Sequence, residues 1–320
     1  MDSKSIKPIA AFAFEGNSLR PIEDDWPSID AVQGYRWLHF ALDDPATAIW
    51  VNEHLPDIAA RALLQSETRP RCERLQGGLI LNLRGVNLNP QSDPEDMVSL
   101  RMWVTESAIV SARLRKVWAV DAIREAAEDG IAPATVGQFL AELTNGLTNR
   151  IEAVSLALED ETDEMEETTS EGSTLAPDQL AKLRRAVIKM RRFINPQRDA
   201  IANLAAIEGW IFAPDELAQL RETSNRTRRI VEELDATRDR LTTIHDHVDA
   251  NRAHALSRNS YVLSVVAAIF LPLGFLTGLF GVNVAGMPGT SAPMAFWLLA
   301  GVSALLGIAL FLIFKFAKWL

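Results

Sequence analysis

The sequence predicts an α/β N-terminal domain followed by a long α-helical stalk and two C-terminal transmembrane helices. Three observations lead there: short β-type runs around helical patterns up to about residue 134, helical periodicity from residue 135 onward, and two long uncharged stretches after residue 259. The expected boundaries are 1–134 for the α/β domain, 135–258 for the stalk with an acidic hairpin, and 259–320 for the membrane domain. Charge divides at the same place. Only Lys315 and Lys318 of the 32 basic side chains lie beyond residue 258, and none of the 42 acids does. The strongly acidic remainder argues against a nucleic-acid binder, whose affinity comes from clustered Lys and Arg, and suits a soluble portion that meets cations.

In the N-terminal domain the β-type runs are 9–14, 35–42, 78–86, 98–105 and 108–114. Asp44 followed by Pro45 is an N-cap and first-turn pair, predicting a helix through Leu64. A second helix is expected over 117–128, before Gly130. Gly77 and Gly78 read as a turn, because a phosphate loop needs a different glycine spacing and a lysine. His39 and His54 are lone histidines, read as structural. No nucleophile, base and orienting residue occur together in the pattern, so an enzyme is not expected. The single cysteine, Cys72, excludes a disulfide framework or an all-cysteine zinc cluster within one chain. Asp2, Lys4, Lys7 and Glu15 interrupt the first residues, which do not read as a signal peptide.

The stalk opens with an amphipathic helix carrying Leu140, Leu143, Leu147, Ile151, Val154 and Leu158 on one face. It runs into eight acids between Glu159 and Glu171, either a solvated hairpin tip or a lure that raises the local cation concentration. A return helix starts near Pro177, with a kink expected at Pro196. The third helix has no proline from Asp215 until Pro272, and 215–280 as one helix would reach roughly 100 Å. Its seven-residue stripe is Leu220, Thr227, Leu234, Leu241, Val248, Ala255 and Val262. The companion seam expected beside it, Leu217, Ser224, Val231, Arg238, His245, Arg252 and Asn259, turns polar toward the membrane and suits helices splayed around water.

Residues 261–280 and 294–314 carry no charge and are each long enough to cross ~30 Å of hydrocarbon. Arg252 and Arg258 precede the first span, Lys315 and Lys318 follow the second, and 281–293 is uncharged, so both termini are expected in the cytoplasm. Trp297 and Trp319 read as interfacial anchors. Pro272 breaks the helix pattern of the first span, and Gly274, Gly278 and Gly281 share a face of it, as a packing seam or as a pore wall. Two spans cannot enclose a polar path, so transport would demand an oligomer.

The run Phe270-Leu-Pro-Leu-Gly-Phe-Leu-Thr-Gly-Leu-Phe-Gly-Val-Asn283, followed by Met287-Pro-Gly and a second span ending Lys318-Trp-Leu, resembles the CorA superfamily of divalent-cation transporters. Gly281-Val-Asn283, the uncharged Gly286-Met-Pro-Gly289 loop and the terminal Lys-Trp-Leu are similar to its ZntB branch of bacterial zinc transporters. Thr68-Arg-Pro-Arg71 and Met190-Arg-Arg-Phe-Ile-Asn-Pro-Gln-Arg-Asp199 extend the resemblance over most of the chain. It implies a CorA-like funnel, a homopentamer in the bacterial inner membrane, and Zn2+ transport coupled to protons, with no covalently bound cofactor. The same fold also admits a Mg2+, Co2+ or Ni2+ transporter, and a membrane-tethered sensor or scaffold is the rival from another class.

On that reading Gly281 turns the chain and Asn283 forms an entry ring whose neutral amide oxygens accept hydrogen bonds from a hydrated dication. Val282 stands where most of the superfamily has Met. The pore wall would include Gly278, Gly274, Leu271, Ala267, Leu263 and Ser260. Neither span offers the Cys, His or carboxylate that zinc prefers, so zinc selection is expected either in the funnel or to be weak. His245, His247 and His254, with Asp246 and Asp249, lie on the helix leading to the membrane and are either solvated or a weak zinc belt. His247 and His254 are too far apart to ligate one ion within a chain, so such a belt needs neighbouring copies.

Overall fold

The computed structural model describes residues 6–15, 18–22, 29, 33–171, 177–282, 287, 289 and 291–317. The chain divides into two compact units, Met1–Ile244 and His245–Leu320. The first is built on a seven-stranded sheet: β1 Ala10–Glu15, β2 Ser18–Pro21, β3 Tyr35–Ala41, β4 Arg71–Leu75, β5 Gly78–Gly85, β6 Val98–Val104 and β7 Ala108–Arg113. Their spatial order is β2-β1-β3-β7-β6-β5-β4. Only β3 and β7 pair in parallel, with Leu38 opposite Val110; the other neighbours are antiparallel.

Both faces of this sheet are buried, and side-chain alternation sorts the core into two layers. Leu79, Leu81 and Leu83 of β5 join Trp37, Leu100 and Met102 on one face, against Phe139, Leu143, Ile201 and Leu220 from the later helices. Ile80 turns to the other face with Leu38, Phe40, Trp103 and Val110, under Trp50, Val51 and Leu63. The five predicted strands are present within a residue or two. β2 and β4 escaped prediction: they pair on one side only, and β4, Arg-Cys-Glu-Arg-Leu, is partly exposed throughout and lacks the alternation that marks a half-buried strand.

The helix predicted from Asp44 to Leu64 is two helices, α1 Pro45–His54 and α2 Asp57–Leu64. Pro56 divides them: its ring disfavours helical geometry at the preceding residue, and Leu55 is extended at φ −106°, ψ 152°. The cap is as expected, with the Asp44 carboxylate accepting from Ala46 N–H at 2.9 Å. His54 closes the last turn, stacked on Trp50 with its Nδ1 2.9 Å from the Trp50 carbonyl oxygen.

After α3 Trp118–Glu128 come α4 Val136–Ser170, α5 Pro177–Ala205, which continues through Pro196, and α6 Pro214–Gly281. Thr135 caps α4 by accepting from Gln138 N–H, while the Gln138 side chain accepts from Ala134 N–H, both at 2.9 Å. Glu216 caps α6 the same way by accepting from Ala213 N–H at 2.7 Å, and Thr135 donates to its other oxygen. Gly137 makes this junction sterically feasible: a Cβ there would lie 2.5 Å from the Ile211 carbonyl oxygen.

The stripe Leu220, Thr227, Leu234 and Leu241 is buried, Val248 is half-buried, and Ala255 and Val262 are exposed. Its companion positions differ from the expected seam. Thr223, Ile230, Thr237 and Ile244 are the buried partners, three residues after each stripe residue, whereas Ser224 and Arg238 sit one position round the helix and are half-buried. Of the expected seam Val231 is buried and Leu217 and His245 are half-buried, so most of it is a flank, and the seam buried throughout alternates Thr and Ile down to Ile244. Each of its threonine hydroxyls bonds back to the carbonyl four residues earlier, which lets them sit dry.

Polar groups at the heart of the first unit gather in two sets, in which His39 Nε2 and Arg113 Nε stay without a hydrogen-bond partner. Asp121 meets Arg113 at 3.0 Å and Arg124 at 3.4 Å. Ser111 Oγ accepts from the Trp37 indole N–H at 2.9 Å and lies 2.8 Å from His39 Nδ1. Cys72 is half-buried, and burial raises its thiol pKa to about 12. His39 is buried, and desolvation, reinforced by the Arg113 and then the Arg124 guanidinium, lowers its pKa to about 3 against the opposing pull of Ser111.

His39 makes stability pH-dependent. The unfolded chain takes up this proton near pH ~6.5 and the folded chain does not, so stability is full above ~6.5 and falls as pH drops toward 3, by at most ~1.4 kcal/mol per unit from this group. Denaturant unfolding of the solubilised chain across that window should give a shallower slope for His39→Gln than for wild type. Equal slopes would mean that His39 is not held neutral.

Candidate ion pathway

The second unit holds the end of α6 and α7 Ala295–Phe316, both apolar enough and long enough to cross a membrane. Between Ser260 and Phe314 there is no acid, histidine or cation. Two hydroxyls of the first span are turned onto its own backbone: Ser264 donates to the Ser260 carbonyl at 2.9 Å, and Thr277 to that of Leu273 at 2.9 Å.

One face of the span packs against α7. Val265 is buried, Ala268, Ile269, Pro272, Leu273 and Leu276 are half-buried, and Leu273 Cδ1 lies 3.5 Å from where a Cβ on Gly307 would be. The sequence-predicted wall lies elsewhere on the helix. Ser260, Leu263, Ala267, Leu271, Gly274, Gly278 and Gly281 follow one another at spacings of three and four, and all are exposed, Leu271 at 75%. A Cβ on Gly274, Gly278 or Gly281 would meet nothing within 4 Å, so within one chain these glycines serve no packing seam. Val282 is exposed, whereas Asn283, Gly286, Pro288 and the terminal Lys318-Trp319-Leu320 lie outside the described residues.

The histidine belt is spread along exposed helix. His245 Nε2 stands 3.4 Å from Asp249 Oδ2, and Arg252 is 3.8 Å from the same carboxylate. Asp246, His247 and His254 are exposed. Among the described residues no three His, Cys, Asp or Glu side chains of one chain are grouped to hold a metal ion.

The acidic run occupies the last turns of α4, where Thr162 and Met165 are buried between acids. Arg240 of α6 donates to both Asp163 and Glu166, neutralising part of it. Sequence reasoning missed a second acidic group nearer the sheet: the Glu233 carboxyl is held above the usual carboxylate range by partial burial and then by Glu159 and Glu152. Its signal was weak, because these acids come from two helices and meet only when α4 and α6 align.

A helix-covered α/β sheet, a helix that runs on into an apolar span and a second span whose one ionisable side chain, Lys315, lies in its last turn define a two-span membrane protein with a large soluble unit. The chain belongs to the family of CorA-like Mg2+ transporter proteins, whose sequence model matches residues 32–315. It is 34% identical to the zinc transport protein ZntB of Yersinia enterocolitica over 288 residues, 89% of this chain and 88% of that one. To the divalent cation transporter CmaX of Pseudomonas aeruginosa it is 35% identical over 291 residues, covering 89% and 87%. The solved structure of full-length CmaX superposes with a TM-score of 0.83 at 32% identity, over 98% of each chain.

Were this face to line a water-filled path, the side chains on it would differ in reactivity from those packed on α7. Cysteines replacing Leu263, Ala267 or Leu271 should react with a small water-soluble thiol reagent several-fold faster than cysteines at Ile269 or Leu273. Equal rates would place the path elsewhere.

Proposed function

We propose that the chain transports zinc across the bacterial inner membrane, coupled to protons, through a pore that five copies build around the exposed face of the first span. The observation that carries this reading is the 34% identity to a zinc transport protein over 89% of the chain. The face itself supports it. Small and aliphatic side chains leave room for a partly hydrated dication and bind it too weakly to trap it, as conduction requires. Asn283 is assigned as the entry ring, because an amide oxygen accepts from metal-bound water without adding a charge. A second reading, transport of Mg2+, Co2+ or Ni2+ by the same architecture, has the family's own description and the CmaX relative in its favour.

Flux decides between these readings. Purified protein in liposomes should take up zinc faster than Mg2+, Co2+ or Ni2+, and faster with an imposed pH gradient, and light scattering should give a mass near five chains. Asn283→Ala should abolish uptake while preserving that mass. Wild-type flux from the variant would reject the ring, and indifference to the pH gradient would reject coupling.

Zinc selection is assigned to the soluble side, since the spans lack zinc's preferred ligands. A fivefold arrangement turns His245, His247 and His254 into rings, with Asp246 and Asp249 placed to ligate or to orient an imidazole. Replacing the three histidines by glutamine should weaken zinc binding to the solubilised protein and flatten the pH dependence of flux near the imidazole range of ~6.5. If neither changes, the belt is solvated and idle.

Both termini are assigned to the cytoplasm, an orientation supported by the cations that flank an uncharged 281–293 loop. An impermeant thiol reagent should reach a cysteine at Ser291 only from outside and one at Ser173 only from inside. Labelling of both from one side would reverse the assignment.

A further inference from the structure

A cavity of about 570 Å3 opens where the chain crosses from α2 to β4, bounded by residues 65–69, the start of β4, the end of β5, and α5. Four arginines line it, Arg69, Arg71, Arg84 and Arg192, against one acid, Glu67. In a chain of net charge −10, such an imbalance at one cavity is not a sample of the average surface. The two sequence motifs for which the transport reading has no use, 68–71 and 190–199, supply three of the four.

The arginines differ in what they hold. Arg84 donates to the carbonyls of Met97 at 2.6 Å and Thr68 at 2.8 Å, and its guanidinium lies 3.8 Å from the centre of the Phe193 ring. Arg101 stands behind it, almost wholly buried, donating to the carbonyls of Leu63 at 2.7 Å and Ser66 at 3.3 Å. Both are bound by neutral oxygens alone. Among the described residues neither has a carboxylate within ion-pair distance, nor has Arg69 or Arg192, and Arg71 meets only the exposed Glu73 at 3.6 Å. Buried cations whose charge is not cancelled project a positive field into the nearest open volume. The crowding is felt at Arg84, whose pKa is lowered to about 10 by burial and then by Arg101 and Arg192, with Glu67 opposing.

The wall also keeps donors in reserve. The Nε atoms of Arg71 and Arg84 are buried donors without a hydrogen-bond partner, and Asn82, 2% exposed, adds to the wall a carboxamide whose NH2 donates and whose unpartnered Oδ1 accepts. Guanidinium groups only donate, so the complementary ligand only accepts, and a fork of N–H groups matches the spacing of phosphate oxygens. The volume is that of a small organic ligand rather than of a bare ion. A purely architectural reading accounts for Arg84 and Arg101, which brace four carbonyls. It does not account for Arg69, which among the described residues braces nothing, or for Arg192, which lies only over the Phe193 ring at 5.4 Å.

We propose that this cavity is a binding site for a soluble phosphate-bearing anion, with Arg69 and Arg192 as the groups that close on the phosphate and Arg71, Arg84 and Asn82 as its floor. The site is independent of the transported ion and of the pore. Calorimetry on the detergent-solubilised full chain in metal-free buffer, with pyrophosphate as the probe and chloride at matched ionic strength as the reference, should show saturable binding. Arg69→Gln combined with Arg192→Gln should weaken it by about tenfold or more, without lowering the melting temperature of the unliganded protein. Arg228→Gln with Arg229→Gln, which removes the same charge from α6, should leave binding unchanged. Absence of saturable binding in wild type, equal loss in both double variants, or binding of short-chain phosphatidic acid but not pyrophosphate would each overturn the proposal.

Discussion

The burial of one stripe of α6 between Leu220 and Ile244 is the contact on which the rest of the soluble unit depends. Leu220 reaches the sheet core beside Phe139, Leu143 and Ile201, while Thr227 meets Thr148 of α4 at 3.4 Å between their hydroxyls. Polar contacts flank the stripe without entering it. Arg226 reaches Asn145 at 2.9 Å and Asn149 at 2.7 Å and pairs with Glu152, Arg191 pairs with Asp235, and Arg240 holds the end of α4. The apolar stripe supplies the stabilisation, and the arginines fix the register, because partly exposed ion pairs contribute little by themselves.

From His245 to Ser264 no described residue of α6 is buried. Helix in that interval is held by its own backbone bonds and by local side-chain pairs such as His245 with Asp249. In the span that follows the demand changes, because hydrocarbon offers no partner to a free N–H or C=O and helix satisfies them all internally. Ser264 and Thr277 obey the same rule with their side chains. From Leu263 to Gly281 the exposed face carries only Leu, Ala and Gly, none of them a metal ligand.

Much of this was legible in the sequence, and for identifiable reasons. Strands with both faces buried announce themselves by continuous apolar runs, as at Gly78–Gly85, and helix ends by chemistry as local as Asp44-Pro45. The edge strand Arg71–Leu75 was illegible because its pairing partner, not its composition, makes it a strand. Pro56 was a readable stop that the longer helical pattern concealed. The heptad along α6 gave the stripe but not its companion: spacings of three and four both fit a helix, and only packing selects Thr223 and Thr237 over Ser224 and Arg238. For the candidate pathway, the spacing of Ser260 through Gly281 was enough to place these residues on one face. The meeting of Arg69, Arg84 and Arg192 was not, since it joins a loop and a strand to a helix more than a hundred residues further along.

The chain's one thiol has a practical corollary. Cys72 lies half-covered on the edge strand with its proton held to about pH 12, so at neutral pH almost none of it is thiolate, the form that reacts. The native protein is thus chemically quiet toward alkylating and disulfide-forming probes. Spectroscopic or crosslinking tags can be introduced one at a time against that silent background, with no residue of the soluble core altered to make room for them.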